Sequence, residues 1–313
     1  MSKGTVVVAL GGNAILKPKQ AGTIEEQMAN VNEACHNIAN LIEQGYDVVI
    51  AHGNGPQVGN ILLQNAAARK DVPAMPLEVC GAESQGLIGY MIQQNMRKEL
   101  RKKGIDKPVA TVLTQVIVDA NDAAFKNPTK PIGAFYSEAE AKENMEKKGE
   151  TWKEDSGRGW RKVVASPMPI DVVELATVKT LIAAGTVVIT IGGGGIPVIL
   201  KDGDLVGVEA VIDKDLASAL LAKELDADIL CIATDVANVA INFGKPDQKN
   251  LETITVAEAK AYDADGQFGK GSMGPKVQAV VSFVEHGGTG LITALANLKD
   301  AVTANAGTKI IKG

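Results

Sequence analysis

Aromatic residues make up only 4% of the 313-residue chain. With so few rings there is no supply of stacking platforms for single-stranded nucleic acid. A formal net charge of -5 likewise leaves no broad basic field for a phosphate backbone, so any basic site has to be local. Cysteine is scarce: Cys35, Cys80 and Cys231 are far apart, odd in number and free of C-x-x-C spacing, which argues against a disulfide framework or a zinc site. Buried thiols in a reducing compartment are the expectation. The three histidines, His36, His52 and His286, fall in no H-E-x-x-H pattern, and none is expected to be a metal ligand. No apolar run reaches membrane-spanning length and no basic leader with a cleavage site opens the chain, so the sequence predicts a cytoplasmic protein without membrane contact.

What the chain does have is 45% hydrophobic residues in two alternating patterns. Short β-branched runs (TVVVAL, YDVVIAH, PVATVLTQVIV, TVVITI, DADILCIA, GLITAL) alternate with segments of helical spacing. That alternation predicts an open, mainly parallel α/β sheet with helices on both faces. The first helix is marked by Thr23 and Glu26 as a capping box, with Ile24, Met28, Val31, Cys35, Ile38 and Ile42 as its core stripe and Gly45 as its stop. A second runs from about Leu77 to Lys103, with the cations of MRKELRKKG at the end its dipole favours. From roughly 119 to 169 the pattern changes, through NPTKPIG, SEAEAKENMEKKGE and GRGWRKVV, and an inserted subdomain is expected there. Beyond it, Asp202-Gly203 supplies hairpin turn chemistry within VILKDGDLVGVEA. The whole chain, 1–313, reads as one domain that carries this insertion.

Three glycine-rich stretches follow strand-like runs: LGGN at 10–13, HGNGPQVG at 52–59 and IGGGGIP at 191–197. One such stretch is an ordinary turn. Three at strand ends, where ligands of parallel sheets sit, point to anion binding through backbone N–H groups and helix N-termini. Neither standard nucleotide motif is present: Gly269-Lys270 is followed by Gly271 rather than Ser or Thr, and G-x-G-x-x-G fails at Val58 and at Pro197. Lysine supplies the positive charge instead. Lys214 lies between two aspartates in VIDKDLAS, and Lys276 opens a helix in GSMGPK. Either alone reads as a solvated side chain; together with the loops they read as a phosphate clamp.

At these residues the sequence resembles the carbamate kinases of the amino acid kinase fold family. The resemblance covers essentially the whole chain: VVALGGNAI, HGNGPQVGN, NPTKPIG, GRGWRKVV, GGGGIPV, VEAVIDKDLAS, INFGKPD and GSMGPK. It implies a three-layer αβα sandwich with a protruding insertion, forming a homodimer. It also implies reversible phosphoryl transfer between ATP/ADP and carbamate/carbamoyl phosphate with Mg²⁺, running toward ATP where arginine is fermented. By the same resemblance Gly11, Gly12, Asn13, Gly53 and Asn54, with Gly193 and Gly194, would surround the phosphoryl group and substrate. Lys214 and Lys276 would contact phosphate, Lys130 would reach the substrate from the insertion, and Asp215 would order the lysines, with Asp213 as a second candidate for that role or for water-mediated metal contact. The nucleotide would lie by Thr234, Asp235, Val236, Phe243, Lys245, Pro246, Met273 and Gly274, where Phe243 replaces a Tyr common in relatives. No direct metal ligand is assigned. Two other readings remain open on the residues alone: an acyl-phosphate-forming kinase acting on acetylglutamate or aspartate, and a non-catalytic sensor of nucleotide or carbamoyl phosphate.

Overall fold

The computed structural model describes residues 2–155, 157–269 and 271–313. The strand Thr5–Leu10 lies near the middle of an eight-stranded sheet, and its side chains explain the layering. Successive residues point to opposite faces. Val7 and Ala9 join one buried cluster while Val6, Val8 and Leu10 join the other, so a strand with no polar residue between them is what a sheet covered on both faces requires.

Across the sheet the order is Thr253–Thr255, Thr308–Ile311, Thr289–Ala294, Ile229–Thr234, Thr5–Leu10, Asp47–His52, Val187–Ile189 and Val109–Thr111. All neighbours are parallel except Thr289–Ala294 with Thr308–Ile311. Helices Ile24–Glu43 and Leu77–Lys102 cover one face through Ile38, Ile42, Ile88, Ile92 and Met96. Lys214–Glu224 and Met273–His286 cover the other through Leu221, Val277, Val280, Phe283 and Val284. The expected three-layer αβα sandwich is therefore the fold.

Local signals act as their chemistry predicts. Thr23 and Glu26 form both halves of a capping box at the start of Ile24–Glu43. Ile24, expected in the core stripe, is instead 46% exposed, as the first residue of the helix, while Val31 and Ile38 are buried. Asp202 and Gly203 both take positive φ (54° and 92°) and close the hairpin of Ile196–Lys201 with Asp204–Gly207.

The run PVATVLTQVIV is not one strand. Val109–Thr111 ends the main sheet, and Gln115–Val118 pairs with Ile196–Lys201 and Pro169–Val172 in a second sheet. Between Gln115–Val118 and Pro169–Val172, which are antiparallel neighbours, the chain departs into a small layer of its own. Lys130–Tyr136, Trp152–Glu154 and Trp160–Val164 form its three-stranded sheet, backed by helix Glu138–Lys148. It leans on helix Gly55–Ala68 through Val58, Ile61, Ile132 and Val164, and a Cβ on Gly59 would stand only 3.6 Å from the Cα of Gly133.

Cys35, Cys80 and Cys231 are free and buried, and burial raises all three thiols, Cys231 to about 12. Among the described residues, no helix is long and apolar enough to cross a membrane. Lys270, of the incomplete glycine-lysine motif, lies outside the described residues.

Candidate active site

The carboxyl ends of the central strands carry the glycine loops, and backbone hydrogen bonds tie those ends together. Gly11 donates to Ala233 (3.2 Å) and Gly53 to Leu10 (3.0 Å). Gly53 lies in contact range of both neighbours: a Cβ there would lie 3.4 Å from the Gly12 nitrogen and 3.5 Å from Cδ of Lys214. The first two loops and Lys214 thus converge on one spot, and Gly12 faces open space.

Lys214 is the first residue of helix Lys214–Glu224, capped by Asp213, whose Oδ1 accepts from the backbone nitrogen of Asp215 at 2.9 Å. Lys276 sits in the first turn of Met273–His286. Both ammonium groups therefore stand at helix N-termini, where the dipole disfavours a cation. The offset is Asp215. Its Oδ1 bonds Nζ of Lys214, and its Oδ2 accepts from Nζ of Lys276 at 2.9 Å. Lys130, on the inserted layer, reaches Oδ2 of Asp213 at 3.0 Å. Residues 130, 214 and 276 are brought to one cluster by topology alone.

The electrostatics follow from burial. Asp215 is 3% exposed, and burial alone would raise its carboxyl, but the charges of Lys214 and Lys276 and their hydrogen bonds outweigh it and the net shift is downward. Lys214 is shifted downward too, but there burial is the largest cause: it lowers the ammonium, with help from Lys276, against the pull of Asp215. Three lysines against two aspartates leave this cluster with a positive excess, which suits a phosphate or other multivalent anion.

The third glycine loop packs into the protein rather than lying open. Gly193 (φ 67°) sits where a Cβ would come within 2.2 Å of Nδ2 of Asn54, and a Cβ on Gly194 (φ 95°) would meet the carbonyl oxygen of Ile212 at 2.3 Å. The loop is a wedge between Asn54 and the approach to Asp213. Asn54 also donates to Oγ of Ser84 at 2.8 Å, and Asn13 bonds the carboxylate of Asp235. Through that last contact the first glycine loop meets the segment Thr234, Asp235 and Val236.

Of the remaining nucleotide-side residues, two adjoin a lysine and three lie on a separate loop. Met273 and Gly274 precede Lys276 on its own helix, with Gly274 buried against Gly269. Phe243, Lys245 and Pro246 lie on an exposed loop tied at Asn242 to Gln267, and Phe243 is 71% exposed. Among the described residues no hydrogen bond or ion pair joins these three to the lysine cluster, and no group of three His, Cys, Asp or Glu side chains could hold a metal ion.

Sequence reasoning passed over His52. The imidazole is buried, its Nδ1 donates to the carbonyl of Gly53 at 2.9 Å, and a Cβ on Gly192 would come within 2.7 Å of the ring. Burial, with the nearby Lys214 charge, pulls it down to about 4 against that hydrogen bond, so it is a neutral spacer between two glycine loops. Ser84 and Gln85, buried on helix Leu77–Lys102, were also missed. Polar residues inside a long helix carry no signal of what they will face.

Comparison with known proteins gives a consistent result. The sequence profile described as the amino acid kinase family matches residues 4–293. Carbamate kinase of Thermococcus kodakarensis is 54% identical over 311 residues, covering 98% of this chain and 99% of that protein. Carbamate kinase of Clostridium perfringens is 50% identical over 313 residues, with 98% and 99% covered. Among solved structures, carbamate kinase from Giardia lamblia bound to AMP-PNP superposes with a TM-score of 0.95 at 49% identity, over 100% of both chains.

Proposed function

Since the chain belongs to the amino acid kinase family and is a phosphotransferase with carbamate kinase function, we propose that the cluster of Lys214, Lys276 and Lys130 with Asp213 and Asp215 is where phosphoryl transfer occurs. The observation that carries the assignment is the pair of lysines held on opposite oxygens of one buried carboxylate, directly beside the first two glycine loops.

In the direction of ATP formation, a β-phosphate oxygen of ADP attacks the phosphorus of carbamoyl phosphate, a P–O bond forms, the P–O bond to carbamate breaks, and carbamate leaves as an anion. No proton has to be moved, so no general base is needed, and the neutral His52, with Nδ1 held by the Gly53 carbonyl, is consistent with that. The protein's task is alignment and neutralisation of the equatorial oxygens. Lys214 and Lys276 neutralise the moving group, with N–H groups of Gly11, Gly12 and Gly53 at its sides. Asn13 and Asn54 hold the substrate end, with Gly193 and Gly194 setting the position of Asn54, and Lys130 reaches the substrate from the insertion.

The nucleotide is assigned to Thr234, Asp235, Val236, Phe243, Lys245, Pro246, Met273 and Gly274. The AMP-PNP bound to the Giardia relative supports nucleotide use. For Mg²⁺, the chemistry of the donors is informative: each oxygen of Asp215 is held by a lysine, and those of Asp213 by Lys130 and a backbone N–H. Such a set fits a metal carried on the nucleotide's phosphates, with water completing its shell, rather than one caged by protein. When bound it would supply further neutralisation of the phosphates.

The insertion at 119–169 is read as a cover that closes when Lys130 engages substrate. A homodimer is proposed on the apolar side chains left exposed around helix Leu77–Lys102 and the 196–207 hairpin, among them Tyr90, Leu113, Leu200 and Leu205, and a role in arginine fermentation in the cytoplasm accompanies this reading. The deciding experiment measures ATP formation from ADP and carbamoyl phosphate with Mg²⁺, using Lys214→Ala as control. Turnover that falls by roughly 100-fold or more in the variant supports the site, since removal of one oriented charge commonly has that effect. Equal turnover in both proteins removes Lys214 from the mechanism.

A further inference from the structure

The glycine loop at 192–195 begins with a residue in the wrong conformation for its chemistry. Ile191 is β-branched and fully buried, yet it takes φ 52° and ψ 34° in the left-handed region. A branched Cβ makes that region costly, and the conformation persists only where the surroundings impose it. What imposes it here is a polar network without access to water.

Thr114, 0% exposed, is the hub. Its Oγ1 accepts from the Ile191 backbone nitrogen at 3.1 Å, lies 2.6 Å from Oγ1 of Thr190, and donates to the carbonyl of Val112 at 2.8 Å. Gln85, 1% exposed, joins Thr114 to the loop. Its Oε1 accepts from the Thr114 nitrogen at 2.8 Å, while Nε2 donates to the carbonyls of Thr114 at 3.1 Å and Gly192 at 2.9 Å. The amide can face only one way: reversed, it would set N–H against N–H and oxygen against two carbonyls. The next residue back, Ser84, accepts from Asn54, so one turn of one helix fixes both the wedge and the residue it presses on.

We infer that Gln85 and Thr114 are positioning residues for phosphoryl transfer: they lock Ile191 in the left-handed conformation, and so set Gly193 against Asn54 and Gly194 against Ile212, next to Asp213 and Lys214. None of them touches the reacting atoms. The inference rests on the assignment of the lysine cluster as the transfer site, and its consequences divide between activity and backbone order. Loss of the lock lets the wedge relax by fractions of an ångström, which separates Asn54 from Lys214 and spoils alignment more than binding.

The test uses Gln85→Met, Thr114→Val, Thr114→Ser and the double variant Gln85→Met/Ile191→Gly in the full-length protein. Steady-state ATP formation and amide hydrogen exchange over residues 191–195 are measured for each. Gln85→Met and Thr114→Val are expected to lower kcat on the order of 10- to 100-fold with KM for ADP within about threefold, and to speed exchange at the loop. Thr114→Ser keeps the hydroxyl and should restore most of the rate lost in Thr114→Val. Glycine takes φ 52° without penalty, so the double variant should recover activity relative to Gln85→Met, a result that a purely structural role cannot give because the second change only removes more core. Unchanged kcat and exchange in Gln85→Met, or a double variant worse than either change predicts, overturns the inference. If the unmodified protein forms no ATP, the transfer-site reading fails, while exchange at 191–195 still decides whether the lock exists.

Discussion

Lowering the pH from 7 to 5 should destabilise the protein through His52 in particular. The imidazole is held at about 4 against an ordinary 6.5, because it is buried beside Lys214. A group whose folded pKa lies below its unfolded value binds fewer protons when folded between the two, so stability rises with pH across that window and is lost as pH falls through it. At pH 5 the loss comes to about 2 kcal/mol, approaching about 3 kcal/mol below pH 4. With an unfolding entropy on the order of 2 cal/mol/K per residue, 2 kcal/mol lowers Tm by roughly 3 °C in a chain of this length. The Asp215 carboxyl, shifted downward from 3.8, weakens the fold only in stronger acid and stays outside the window. Differential scanning calorimetry of the protein and of His52→Gln at pH 7 and 5 isolates the contribution: the variant should lack this share of the decline. The same decline in both proteins would refute a buried neutral His52, as would an NMR titration with no imidazole titrating well below 6.

Other expectations follow from single contacts. Lys276→Met should lower kcat on the order of 100-fold or more with Tm within a few degrees, since Asp215 keeps Lys214 as its partner; unchanged turnover would remove Lys276 from the clamp. Lys130→Ala should raise KM for carbamoyl phosphate more than it lowers kcat, because the side chain is half-exposed and bound to Asp213 rather than Asp215, and a pure kcat loss would contradict a substrate-side role. Gly193→Ala should cost about 1–3 kcal/mol and most of the activity, as it combines positive φ with a Cβ 2.2 Å from Asn54; a fully active, equally stable variant would show that the wedge yields freely. Hydrogen exchange across 119–169 should slow when ADP and carbamoyl phosphate bind together, and ligand-independent exchange would count against closure of the insertion.

Much of the sheet was legible because its elements are local. Val6 to Leu10 with no polar interruption can only be a doubly covered strand or a helix segment, and the glycines that stop it settle the choice. Thr23 with Glu26, and Asp202 with Gly203, carry their outcome in two residues each. The division of PVATVLTQVIV between two sheets was not legible, since an apolar run records burial and not which layer provides it. Thr114, in the middle of that run, lies between the two strands where the sheets part, and its hydroxyl, like that of Thr111 and the amide of Gln115, gave no sign of which layer it would serve. The short strands Thr253–Thr255 and Thr308–Ile311 were also missed, being too brief to show a period. At the site, the meeting of residues 130, 214 and 276 depends on topology, and family resemblance, not spacing, pointed to it. Gln85 and Ser84 stayed hidden because a polar side chain on a helix declares neither its burial nor its partner.

The carboxylate shared by Lys214 and Lys276 also sets how many hands each lysine has free. An ammonium group carries three N–H donors, and each of these lysines commits one to Asp215. Two remain on each. An incoming phosphoryl group therefore need not compete with Asp215 for its lysines, and the buried carboxylate need never be left bare while the reaction proceeds. The same arithmetic makes arginine a poor substitute at either position: its planar fork would tend to spend two parallel donors on the carboxylate and turn the rest outward in a fixed plane. Lysine, pivoting on a single bond to Asp215, can follow the phosphorus as it passes from one oxygen to the other.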